Sequence, residues 1–243
     1  MIEQLVVNGC SYMETYAFGG GHIDLAERLN IRTPTGAVNA VSLAIGGSAN
    51  SRILRTAHKH SYNPGYNTLY VLGMTFVSRL EIPILDDRDT FEGRWTNPQN
   101  QQFQNRWMRH WNSKDTEQYV ELKLKYEGES ILDRTEDLMY RILATVDSIK
   151  MRGHRVLVFQ QSDNLYQEVL SNSRFKPMRN RPDIIDRLAW RAVSWQHEQG
   201  VQPTIYAPGH PYVPPDMVHP APGHHHKLNE FLTNYIQEHK ILQ

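Results

Sequence analysis

Only one cysteine, Cys10, occurs in 243 residues, so no intrachain disulfide can form and a reducing setting is expected. Long apolar runs are missing too: nothing approaches the roughly 18 residues of a membrane span. Met1 leads straight into a strand pattern, without the charged and then apolar order of a secretory signal. The expectation is a cytoplasmic protein without membrane contact. Charge of one sign is also lacking, since Lys plus Arg and Asp plus Glu each number 26. That balance gives no electrostatic footprint for nucleic acid. The short basic run Arg174, Lys176, Arg179 and Arg181 reads as a solvated face. Internal repeats and an evident linker are absent, and the reading is a single domain over 1–243.

What is present is an alternation of strands and helices. Leu5-Val6-Val7 is a continuous apolar run ending in Asn8-Gly9-Cys10-Ser11, the pattern of a buried parallel strand that delivers a hydroxyl at its end. Further strands are expected over Asn39 to Ile45, Thr68 to Gly73, Arg155 to Phe159 and Val201 to Tyr206. Helices are expected over His22 to Leu29, Ser51 to His60, Glu117 to Tyr126, Thr135 to Met151, Pro182 to Gln199 and His224 to His239. This order predicts an α/β fold of about five mostly parallel strands with helices on both faces. Gly19-Gly20-Gly21 lacks the Lys-Ser/Thr of a phosphate loop and reads as a flexible connection.

The chemistry-bearing residues collect where strands end. Ser11 follows the first strand, Gly46-Gly47 and Asn50 the second, and Thr75 the third. Gly47 could offer a bare N–H to a developing oxyanion or only make the turn, and Asn50 could cap a helix or contact substrate. Both pairs of readings stay open. Far downstream, Asp216-Met217-Val218-His219 places a carboxylate three residues before an imidazole in a Pro-rich loop. A serine needs such a base, and the base a carboxylate to orient it.

Taken together, these blocks resemble the SGNH (GDSL-like) hydrolases, in a divergent branch associated with bacteria and their phages. Asn8-Gly9-Cys10-Ser11 is similar to the family's first block, with Cys10 where Asp is usual. Ile45 to Asn50 resembles the second block, and Asp216 to Pro220 with Gly223-His224 resembles the last. The third block departs: Gly73-Met74-Thr75-Phe76 puts Thr75 where the family carries an Asn that donates to the oxyanion. The resemblance implies a flavodoxin-like three-layer α/β/α sandwich and ester hydrolysis through an acyl-enzyme. Ser11 would be the nucleophile, His219 the general base and Asp216 its orienting partner, with Gly47, Thr75 and Asn50 around the oxyanion or substrate. It also implies no metal and no cofactor, and an ester substrate, small or carbohydrate-borne, with O-acetylated sugars a common class.

Three other readings compete. Cys10 could be the nucleophile. His210, His219, His224, His225 and His226 with Asp216 could hold a metal, although three consecutive histidines cannot all face one ion. Finally, the altered third block fits a binding or assembly protein, such as a virion component, that keeps the fold with weak or no turnover. The polar segment around 86–115 carries Phe91, Trp95, Phe103, Trp107 and Trp111. It is either a lid or binding loop or a short helix packed on the domain, and 91–111 could meet a protein partner or a second copy.

Overall fold

A computed structural model describes residues 1–45, 48–75, 82–83, 95–96, 131–160, 181–185 and 222–243. Four strands, β1 (Gln4–Asn8), β2 (Ala40–Ser42), β3 (Thr68–Met74) and a later one at Arg155–Gln160, form one parallel sheet. Between the last two lie β4 (Ile82–Pro83) and β5 (Trp95–Thr96), a short antiparallel pair, so the fourth parallel strand is β6. The sheet order is β2-β1-β3-β6. Chain order therefore runs outward from β1 to one side and then back across to the other. That is the flavodoxin-like doubly wound arrangement, with its switch point between β1 and β3.

Alternate residues of each strand face opposite sides, and each side has its own core. Leu5, Val7, Leu69, Val71, Leu157 and Phe159 pack with helices α1 (Ser11–Phe18), α2 (Gly21–Arg28) and a C-terminal helix, Pro222–Glu238. Val6, Tyr70, Leu72, Met74, Val156 and Val158 pack with α3 (Asn50–His60) and α4 (Ile131–Met151). The C-terminal helix is then α5, and the molecule has three layers. The stripe expected on α4 is the buried one: Leu138, Ile142, Val146 and Ile149 all lie in the second core. On α5, Leu228 and Leu232 are buried as expected, joined by Ile236, while Phe231 and Tyr235 pack at the margin.

One reading is refined and two change. Strand pairing at β2 is short, yet backbone bonds continue on both sides of it. Leu5 N–H donates to Asn39 O at 2.9 Å, Leu43 N–H to Val7 O at 2.8 Å and Ile45 N–H to Gly9 O at 3.3 Å. The extended path thus runs from Asn39 to Ile45 beside β1. Gly19-Gly20-Gly21 is no flexible connection but a tight corner from α1 to α2. Gly20 takes a left-handed φ of 76°, and a Cβ on Gly21 would lie 2.4 Å from the Tyr16 ring. Pro182 does not open a helix within the described residues. Instead Val158 N–H donates to Asp183 O and Ile185 N–H to Val158 O, both at 2.9 Å, so 183–185 runs parallel to β6. The buried Asp183 carboxylate anchors it. Arg181 reaches it through Nε and Nη2 at 2.9 and 2.8 Å, and Lys150 of α4 through Nζ at 2.7 Å. Burial pushes this carboxyl up, but the bonds and charges of Arg181 and Lys150 win and hold it below its usual range. The expected strand at 201–206 and helix at 117–126 lie outside the described residues.

Candidate active site

Parallel strands put all their carboxyl ends on one edge, and ligands in open α/β sheets gather there at the switch point. Here that point is the end of β1 and β3. Gly9 lies tightly against Met13 and Gly73 there. A Cβ at Gly9 would stand 2.4 Å from Met13 Cγ, 2.8 Å from Met13 Cβ and 3.0 Å from Gly73 O. Only glycine lets the chain leave β1, graze β3 and turn at once into α1. Ser11 is the first residue of that helix, and the bond from Glu14 N–H to Cys10 O at 3.0 Å opens it. The sequence reading missed α1, expecting only a turn after the strand.

Asn8, just before the turn, is fully buried and saturated. Its Nδ2 donates to Ile53 O at 2.9 Å and to Thr56 Oγ1 at 2.7 Å, while its Oδ1 accepts from Gly9 N–H at 2.9 Å. The end of β1 is thereby tied to α3. Thr56 Oγ1 donates in turn to Arg52 O at 2.8 Å, and Arg52 Nη1 reaches Ser48 Oγ at 3.1 Å and Leu43 O at 3.2 Å. Ser48 Oγ donates to Ile45 O at 2.6 Å. Those bonds fix both ends of the second block.

Asn50 completes the edge. It sits inside α3, whose cap residue is Ala49, so it does not cap the helix. Its carboxamide instead grips one residue of the third block through both of its backbone groups: Thr75 N–H donates to Oδ1 at 2.7 Å and Nδ2 donates to Thr75 O at 2.9 Å. Thr75 itself is fully buried. Asn50 and Thr75 are thus bonded at the carboxyl end of β3, Asn8 ties the end of β1 to α3, and Ser11 follows β1 as the first residue of α1. Gly47, Asp216 and His219 lie outside the described residues.

Cys10 is fully buried and packs with Tyr12. Among the described residues no group of His, Cys, Asp or Glu is arranged to hold a metal. Two of the three consecutive histidines diverge: buried His225 meets the Tyr16 ring edge-on at 5.4 Å, whereas exposed His226 accepts from Arg28 Nη2 through Nδ1 at 3.0 Å. His210 lies outside the described residues. So does nearly all of the aromatic segment.

Sequence reasoning also passed over Asn229, which is fully buried at the junction of α1, α2 and α5. No apolar or motif pattern marks it. An Asn at an inward position of an otherwise amphipathic helix was the available signal. Among the described residues, no helix is long and apolar enough to cross a membrane.

No protein-family model matches this chain, and no sequence relative was found among curated proteins. Among solved structures, a provisionally assigned acylhydrolase from Bacteroides fragilis is similar at 12% identity and a TM-score of 0.37, with 97% of this chain and 85% of that chain covered. A likeness at that level says nothing about activity.

Proposed function

We propose that this protein is a serine hydrolase of SGNH type that cleaves a carboxylic ester, an O-acetylated carbohydrate being the favoured class. The observation that carries the reading is the position of Ser11. It opens a helix at the carboxyl end of β1, at the switch point; Asn8 ties that strand end to α3, and Asn50 of α3 holds the third block. Burial of Cys10 favours the serine over the thiol as nucleophile at this turn.

In the proposed reaction Ser11 Oγ attacks the ester carbonyl carbon while His219 takes its proton, with Asp216 orienting the imidazole. The oxyanion meets N–H groups of the Ser11 and Gly47 region at the positive end of α1. Collapse of the intermediate expels the alcohol, protonated by His219, and leaves an acyl-enzyme. Water then attacks the acyl carbon, His219 takes its proton, and Ser11 leaves with the proton restored as the acid departs. Tethering supports the assignment of the base. His225 packs on Tyr16, five residues or about 7.5 Å along α1 from Ser11. His219 lies three residues before Pro222, a reach of up to about 11 Å, and three helical residues, about 4.5 Å, then lead to His225.

A second reading is favoured by Thr75. Its side chain is buried and its peptide is held by Asn50, so the family's Asn donor has no evident replacement there. Losing one such donor costs on the order of a hundred- to a thousandfold. A binding or assembly protein with residual turnover, meeting a partner through 91–111, fits that observation.

The test is covalent. A fluorophosphonate should modify Ser11, located by peptide mass spectrometry, and Ser11→Ala should abolish both the adduct and turnover of p-nitrophenyl acetate or acetylated oligosaccharide while leaving the fold intact. An equally active Ser11→Ala protein would overturn the reading.

A further inference from the structure

Asn229 uses both of its side-chain N–H groups and its side-chain oxygen, and its orientation is forced. Gly21 O and the Asp24 carboxylate can only accept, so Nδ2 faces them, at 2.9 and 2.7 Å. Oδ1 must then face Tyr16, whose hydroxyl donates to it at 2.6 Å. Burial first, and the Asp24 charge second, push the Tyr16 hydroxyl well above its ordinary range, so it stays a donor. Arg28 Nε closes the far side on both Asp24 oxygens, at 3.0 and 2.9 Å.

The cluster joins three helices. Tyr16 is on α1, Gly21 and Asp24 on α2, and Asn229 on α5. Tyr16 is also wedged: its ring touches Gly21 on one side and takes the edge of His225 on the other. The apolar contacts of Leu228 and Leu232 alone would hold α5 on the sheet, but greasy contacts tolerate sliding. Three directed bonds to one buried amide do not. They lock α5 to α1 at a single axial register.

We propose that Asn229 is a positioning residue of the hydrolytic site. It fixes where α5, the helix that follows the Asp216–His219 segment in sequence, begins relative to α1, the helix that opens at Ser11. The inference rests on the hydrolase reading above. Asn229 touches no reacting atom in it and acts only through the two helices.

Two variants of the full chain test it. Asn229→Leu keeps the size and removes all three bonds; Tyr16→Phe keeps the ring and removes one. Urea unfolding gives the folded fraction, and fluorophosphonate labelling of Ser11 gives a rate per folded molecule. The expected result is labelling slowed about tenfold or more in Asn229→Leu, with kcat for p-nitrophenyl acetate lowered and KM unchanged, and a smaller slowing in Tyr16→Phe. A purely structural Asn229 would lower the unfolding midpoint and leave the rate per folded molecule unchanged, which overturns the inference while the hydrolase reading stands. Wild-type protein that neither labels at Ser11 nor turns over ester overturns both. If Asn229→Leu does not fold, Tyr16→Phe decides alone: an unchanged rate per folded molecule overturns the inference.

Discussion

Asn50 and Thr75, twenty-five residues apart, are joined by a reciprocal pair of hydrogen bonds in which one side-chain amide reads both groups of one backbone residue. The pair clamps the amino end of α3 to the carboxyl end of β3, where the sheet has run out of ladder partners. Asn50→Ala leaves the buried Thr75 N–H and C=O without those partners. Each orphaned buried group costs about 1–3 kcal/mol, so a loss of about 2–6 kcal/mol is expected in urea unfolding. A loss within experimental error of zero would mean water replaces the amide.

Gly9→Ala tests how tightly the turn before Ser11 is built. The new Cβ would overlap Met13 and press on the Gly73 carbonyl. Overpacking of this kind costs about 1–3 kcal/mol. Adding Met13→Ala removes Cγ but keeps Cβ and the Gly73 contact, so the double variant should not return to wild-type stability. Full recovery in thermal unfolding would show that Gly73 O yields freely.

The fold was legible where burial is two-sided or cleanly one-sided. Leu5 to Val7 and Thr68 to Gly73 are apolar on consecutive positions because both sheet faces are covered. On α4 the spacing of Leu138, Ile142, Val146 and Ile149 records a single covered face. Helix α1 escaped because it has only eight residues, and the buried Tyr12, Met13 and Tyr16 are followed by an exposed apolar Phe18 that blurs so short a stripe. At 181–185, Pro182 signalled a helix start, but β6 offers Val158 an unfilled ladder position and Asp183 a pair of cations, and tertiary pairing prevailed. Within the site, Ser11 and Thr75 could be placed from strand ends alone. The grip of Asn50 on Thr75 could not, because it depends on the packing of α3 against β3. The keystone role of Asn229 was hidden for the same reason.

Cys10 offers a clean probe, being the only thiol in the sequence and fully buried. A thiol-specific disulfide reagent should react with the native protein far more slowly than with the urea-unfolded chain, and the native rate should follow global opening. Cys10→Ala should leave labelling at Ser11 within about twofold of wild type. Rapid native reaction, or loss of labelling in Cys10→Ala, would return the thiol to candidacy as the nucleophile.

At the opposite edge of the sheet from Ser11, histidines set a pH dependence of stability. His154 precedes β6 and bridges buried backbone: Thr68 N–H donates to its Nδ1 over a long 3.4 Å, and its Nε2–H donates to Ser61 O at 3.2 Å. A second proton on Nδ1 would confront the Thr68 N–H. His60 Nδ1 meets Tyr70 Oη at 2.9 Å, and His58 Nε2 meets Ser148 Oγ at 3.0 Å, with Arg152 close to the same Ser148. Burial is the first cause holding all three imidazoles below the ordinary value. The Arg152 charge adds to it at His58 and His154, and His154 adds to it at His60. The unfolded chain thus takes up protons near pH 6.5 while the folded protein does so only lower, so stability rises with pH across this range. It is complete above about pH 6.5 and is lost as pH falls from there. Asp24 and Asp183 respond elsewhere. In both, hydrogen bonds and cations overcome burial and hold the carboxyl low, so their contribution is lost only as pH falls below about 3.9. The urea midpoint should therefore drop between pH 7 and 5, and His154→Gln, which cannot take up a proton, should be less stable at pH 7.5 but show a flatter profile. A wild-type midpoint constant over that interval would mean the three imidazoles bind protons equally in both states.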